Sequence, residues 1–136
     1  MKTPCQPTVT RKAFTLLEMT IVIMVLLALI KTGLFVSTKM DEWKLGRDAA
    51  ETLRTVYSAQ RMYLADNPTV AVADITSTVI IPYLPNGATV MPTVRSLVNT
   101  QLSVLVNVSP PVINAGSGVT YDPSGSNKDS LWDVGE

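Results

Sequence analysis

Residues 14–30 read Phe14-Thr15-Leu16-Leu17-Glu18-Met19-Thr20-Ile21-Val22-Ile23-Met24-Val25-Leu26-Leu27-Ala28-Leu29-Ile30, an apolar run that carries a single charge. Lys31 and Thr32 interrupt it, and Gly33-Leu34-Phe35-Val36 extend it. A helix from Phe14 to Val36 would be about 34 Å long at the standard rise. That matches a hydrocarbon core of about 30 Å. Lys31, near the far end, can snorkel toward headgroups. Lys2, Arg11 and Lys12 precede the run, and no acidic residue occurs before Glu18. The positive-inside rule then places the N-terminus in the cytoplasm and the C-terminal bulk across the membrane.

Three readings of this segment compete. A cleavable secretory signal fits the basic start and the apolar core. It does not fit a carboxylate inside that core, nor the absence of a small-x-small exit site in Lys31-Thr32-Gly33-Leu34-Phe35. An uncleaved anchor helix tolerates the pattern and leaves Glu18 unexplained. The third reading accounts for the whole string. Arg11-Lys12-Ala13-Phe14-Thr15-Leu16-Leu17-Glu18 resembles the processing site of the type IV pilin and type II secretion pseudopilin superfamily.

That resemblance implies a basic leader, residues 1–13, which a membrane-embedded prepilin peptidase removes on the cytoplasmic side. The cut would fall between Ala13 and Phe14, and Phe14 would then be N-methylated. The family usually has Gly where this chain has Ala13, the mildest replacement, so processing is still expected. The family's common proline further along the helix is also missing, the nearby residues being Leu34-Phe35-Val36. The likeness is specific over residues 11–30 and weak beyond about residue 67.

Glu18 carries the functional argument. An acid at mid-helix in lipid costs on the order of 2.5–3.5 kcal/mol, less near the membrane edge. One reading has it snorkel to the interface with no further role. The resemblance implies another: Glu18, fifth residue of the mature chain, neutralises the cationic amine of Phe14 on a neighbouring subunit. One charge left buried and unpaired would be penalised by several kcal/mol, so the pair would set the register between subunits.

Composition excludes much else. The chain has 136 residues, one small domain's worth. Lys+Arg 11 balance Asp+Glu 11, without the basic excess of a nucleic-acid binder. There is no histidine, which removes His-based relays, most zinc sites and the usual general base. Cys5 is the only cysteine, so no disulfide can form within the chain. Only Met1-Lys2-Thr3-Pro4 precede it, not the apolar stretch of a lipoprotein signal. No nucleophile–base pair or phosphate loop stands out, and catalysis is not expected.

Residues 37–66 contain no proline and many good helix formers, and the helix should continue through them. Leu45, Ala49, Leu53, Val56, Gln60, Tyr63 and Leu64 recur at spacings of three and four and should form one buried face. Arg47 and Glu51 are placed to pair. Asn67-Pro68 should end the helix. Gly46 reads as a tolerated glycine, and Gly33 as a point where the helix could loosen. Residues 67–136 turn to Thr, Val, Ser, Pro, Asn and Gly. Strands are expected at Val79-Ile80-Ile81, Thr89-Val90-Met91 and Gln101–Val108, with Pro82, Pro85-Asn86-Gly87, Pro92 and Pro110-Pro111 as turns. The fold class predicted is α+β: a long N-terminal helix, membrane-spanning over 14–36 and continuing over 37–66, with a small antiparallel sheet (67–136) packed on its second half.

The segment Tyr121–Asp133 collects Asp122, Asp129 and Asp133 among Ser, Gly and Asn. Major pseudopilins of type II secretion carry calcium in a C-terminal loop, and this region is faintly similar. Asp122, Asp129 and Asp133 are the calcium candidates, but their spacing matches no defined calcium loop and Lys128 is unhelpful, so an ordinary solvated loop is the favoured reading. Otherwise no cofactor is expected. Trp132 should pin the tail to the domain. The resemblance thus implies a structural subunit of a pseudopilin filament in type II secretion, or a pilin or minor pilin of a type IV pilus. Its partners would be the prepilin peptidase, further pilin-like subunits, an inner-membrane assembly platform and the lipid bilayer, with no nucleic acid. It would sit in a bacterial inner membrane as a single-pass protein with a periplasmic C-terminal domain, and then in a periplasmic filament. A membrane-anchored binding domain is the alternative from another class.

Overall fold

A computed structural model describes residues 15–126 and 129–135. Its main element is one helix, α1, Leu16–Asp66, of 51 residues. Thr15 opens it: its carbonyl accepts from Met19 N–H at 3.2 Å and its hydroxyl from Glu18 N–H at 3.3 Å. Asn67 closes it, donating its backbone N–H (2.9 Å) and its side-chain amide (3.0 Å) to Tyr63 O. The proline that follows forbids continuation. Gly33 lies within an unbroken helix. The chain divides into two compact units, one up to Thr38 and one from Lys39 on, and α1 contributes to both.

In the first unit every described residue, Thr15 to Thr38, is exposed. Water does not tolerate a continuous apolar surface on that scale in a monomeric soluble protein. This is a helix long and apolar enough to cross a membrane, and none of its apolar window is buried.

In the second unit α1 buries Gly46, Ala49, Ala50, Leu53, Val56, Ala59 and Gln60, with Leu45, Tyr63 and Leu64 partly covered beside them. The i, i+3, i+4 stripe read from the sequence is therefore the core-facing one. Small residues let the chain approach closely, and Leu53 and Val56 fill the space between, both fully buried. Gln60 is the polar exception. Its side-chain amide donates to Val106 O (2.7 Å) and Val108 O (2.8 Å), tying the chain before Pro110-Pro111 to the helix. Arg47 does not reach Glu51. Its guanidinium lies 5.1 Å from the Trp43 ring centre, a stacking contact available one turn back.

The strands are short. β1 (Val94–Arg95) pairs antiparallel with β2 (Gln101–Leu102), in the register Val94↔Leu102. β3 (Val104–Leu105) pairs antiparallel with β4 (Val112–Ile113), in the register Val104↔Ile113. The expected α+β class is observed, as a long helix with two small antiparallel pairs rather than one sheet. Such pairs are not stable alone. They hold because Val94, Val104, Val106 and Ile113 share a core with Leu53 and Val56 of α1.

The strand expectations need correcting in three places. Ser77–Ile80 is a helical turn, α2, which runs into a 3₁₀ turn at Ile81–Tyr83. A β-branched run this short cannot be told from a buried helical turn by pattern. Helical geometry buries Ile80 and carries Tyr83 onto Tyr63, edge to face at 5.7 Å, and within 3.0 Å of Asp66. Thr89-Val90-Met91 is not a strand, and Val90 is exposed. Gln101–Val108 is interrupted at Ser103 and serves two sheets, while Val104 and Val106 still point into the core.

Gly46 also departs from its reading as merely tolerated. It is buried where the C-terminal tail docks. Trp132 N–H donates to Gly46 O at 3.1 Å. A Cβ at Gly46 would lie 2.9 Å from Trp132 Nε1 and 3.3 Å from Leu131, closer than packing allows. Trp132 is 4% exposed and meets Tyr121 edge to face at 5.3 Å. Its φ of +64° is uncommon for a bulky residue, and it is held by these contacts.

Candidate functional site

Two regions carry chemistry: the start of α1 and the acidic loop before the C-terminus. At the first, Glu18 stands exposed in the opening turn of α1. Ala13 and Phe14, the expected cleavage and methylation positions, lie outside the described residues. The structure shows a helix cap that the sequence reading missed, the Thr15 hydroxyl accepting from Glu18 N–H. Thr15-Leu16-Leu17-Glu18 matches a capping box, with Thr at the N-cap and Glu at the third helical position. A carboxylate there also faces the positive end of the helix dipole, worth about 0.3–1 kcal/mol. The signal was present in the Thr-x-x-Glu spacing before an apolar run. The capping and pairing roles fall on one position, within a single turn of residue 14, and only the pairing role requires the negative charge.

At the second region the three expected aspartates do not converge on one point. Asp122 Oδ1 accepts from Ser124 N–H (3.1 Å) and Ser124 Oγ (2.6 Å). Asp129 Oδ1 accepts from Leu131 N–H at 3.0 Å and lies 3.4 Å from the same Ser124 hydroxyl. The carbonyls of Ser126 and Leu131 stand 3.2 and 3.5 Å from that hydroxyl. These are hard oxygens of the kind calcium prefers, but a serine hydroxyl fills the middle of the ring. Among the described residues no group of three carboxylates that could hold a metal is formed. The donor chemistry suits calcium, while Asp122, Asp129 and Asp133 are not gathered around one point among the described residues.

Asp133 is placed differently. Both of its carboxylate oxygens are buried and neither accepts a well-formed hydrogen bond. Burial raises its pKa above the ordinary carboxylate value, and the charges of Asp129 and Asp122 push the same way. The Gly135 N–H and the Arg54 charge oppose this too weakly to reverse it. Arg54 instead donates through Nε to Val134 O at 2.8 Å, holding the tail by its backbone. Because the folded carboxyl binds its proton more tightly than the unfolded one, its stabilisation is complete below about pH 4. It is lost as pH rises through the raised value. Asp133→Asn should therefore melt higher than the parent chain at neutral pH, with the gap closing on acidification. Parallel melting profiles across that range would contradict this account of Asp133.

No family model matches the chain, and no curated protein or solved structure matches it significantly. A long N-terminal helix, apolar and exposed in its first part, carries small antiparallel β pairs on its second part. That is a pilin-like arrangement.

Proposed function

We propose that this chain is a structural subunit of a pilus-like filament, a pseudopilin of a type II secretion system, made as a precursor and held by α1 in a bacterial inner membrane until assembly. The observation that carries this is one acidic residue, Glu18, in the first turn of a wholly exposed helical segment, the only charge among residues 15–30 and five positions from the expected cut. A plain anchor can use that carboxylate only at its helix end, for about 0.3–1 kcal/mol. A subunit whose neighbour presents a cationic amine at Phe14 needs its charge.

In this role the prepilin peptidase cuts between Ala13 and Phe14, the amine is methylated, and the apolar helix passes from lipid into a bundle of like helices. Lateral packing of Leu16–Val36 then replaces lipid contact, and the Glu18–amine pair fixes the axial step between subunits. An assembly platform lifts each subunit from the membrane into the fibre. No step needs a bound metal or a catalytic group. A type IV pilus pilin fits the same residues. The absence of a cysteine pair favours the secretion filament, since pilins often carry one. Coexpression with a competent prepilin peptidase tests the reading: the chain should shorten by the leader, residues 1–13. A membrane-anchored binding domain would keep its full length.

A further inference from the structure

We propose that the tip of the β1–β2 hairpin, Leu97-Val98, together with Met40 and Trp43 of α1, is a lipid-contacting surface that rests in the headgroup layer while the subunit is membrane-anchored. The inference rests on the anchor reading of α1 and adds a second, peripheral contact made by the globular unit.

The hairpin tip is the first observation. Ser96 N–H donates to Thr100 O at 2.9 Å and Asn99 N–H to Ser96 O at 3.0 Å, with Asn99 at φ +63°. Residues 96–99 thus form a tight turn whose two central positions are Leu97 and Val98. Turn tips facing water favour Gly, Asn, Asp, Ser and Pro. Here Val98 is 77% exposed and Leu97 40%. The turn is also braced from below. Ser96 is buried, its hydroxyl lies 2.6 Å from that of Thr100, and Leu97 N–H donates to Tyr121 Oη at 3.0 Å. Two apolar side chains are therefore presented on a fixed support.

Placement is the second observation. Leu97 lines one shallow cleft of about 210 Å³ with Lys39 and Trp43 of α1. Met40 and Trp43, 54% and 51% exposed, are neighbours one turn apart. They follow Val36 by four and seven residues on one continuous helix, about 6 and 10 Å of rise. The interfacial layer on each side of the hydrocarbon is roughly 5–8 Å deep, and tryptophan concentrates there. Lys39 pairs with Glu42 (2.8 Å) and Lys44 with Asp41 (3.8 Å). With its charges matched in this way, the surface needs no anionic lipid to approach the headgroups.

The test uses the full chain with Cys5→Ser and one new cysteine at a time, Val98→Cys, Met62→Cys or Leu26→Cys. Each is labelled with an environment-sensitive fluorophore in phosphatidylcholine vesicles that contain spin-labelled lipid. Met62 lies about 33 Å along the helix from Met40 and is exposed, so it reports water. The probe at 98 should be blue-shifted and quenched several-fold more by a headgroup-level spin label than the probe at 62, at high and low protein density alike. The probe at 26 should be quenched by a label deep in the acyl chains. If 26 is quenched and 98 behaves like 62, the surface contact is wrong and the anchor stands. If 26 is not quenched, the anchor reading fails and this inference falls with it. Protection of 98 from aqueous iodide without lipid quenching, and only at high protein density, would assign the patch to a second copy and overturn the proposal.

Discussion

Trp132→Ala should destabilise the globular unit by about 3–5 kcal/mol, the range for deleting a buried aromatic. The side chain is 4% exposed, packed between Tyr121 and the helix at Gly46. Among the described residues, two long-range hydrogen bonds tie the backbone of the tail to α1, Arg54 Nε–H to Val134 O and Trp132 N–H to Gly46 O. Without the indole, the left-handed backbone at residue 132 loses the contact that offsets its strain. For a domain near this size each kcal/mol moves the midpoint by about 4–8 °C, so thermal unfolding of the detergent-solubilised chain should begin more than about 10 °C lower. Gly46→Val approaches the same contact from the helix side. It forces a branched side chain against Trp132 and Leu131 and should cost about 1–3 kcal/mol. The double variant should lose less than the sum, because both changes break one contact. A midpoint within about 4 °C of the parent for Trp132→Ala would contradict this role.

Glu18→Ala should leave a processed, membrane-inserted chain that assembles poorly. An ion pair broken on one side, where water is excluded, costs about 3–5 kcal/mol. At about 1.4 kcal/mol per tenfold, subunit affinity should fall by at least about a hundredfold, and filament yield with it. The helix-capping role of the same residue gives the decisive control. Glu18→Gln keeps the side chain that a capping box accepts and removes only the charge. If the charge pairs with a neighbour's amine, Gln fails as Ala does. Filament yield restored by Gln would make capping the reason for the residue. Normal yield from Ala would remove the reason for singling it out.

Much of this molecule could be read from the chain because its longest element is governed by local rules. Apolar content over 14–36, helix formers without proline over 37–66, and Asn67-Pro68 as the stop are each decided by neighbours in sequence. The core face of α1 was legible for the same reason, since Ala49, Leu53, Val56 and Gln60 keep one helical period. The strands were not, because two-residue ladders carry almost no periodic signal. Ser77–Ile80 shows the limit: its β-branched residues fit a strand, and tertiary burial of Ile80 decides otherwise. Gly46 shows another. Its importance comes from Trp132, 86 positions away, and no local rule pairs them. The acidic loop was legible in composition only. Which of its aspartates meet Ser124, and that Asp133 turns inward without a well-formed hydrogen bond, is set by how the tail docks.

The central claim is that a neighbour's freed amine answers Glu18, and it requires that the amine exist. Intact mass and N-terminal fragment masses of the membrane-extracted protein, made beside a functioning prepilin peptidase, measure this directly. The account predicts a chain that begins at Phe14 and carries one added methyl group on its amine. A chain that still begins at Met1 contradicts it and leaves Glu18 as a helix cap on an ordinary anchor.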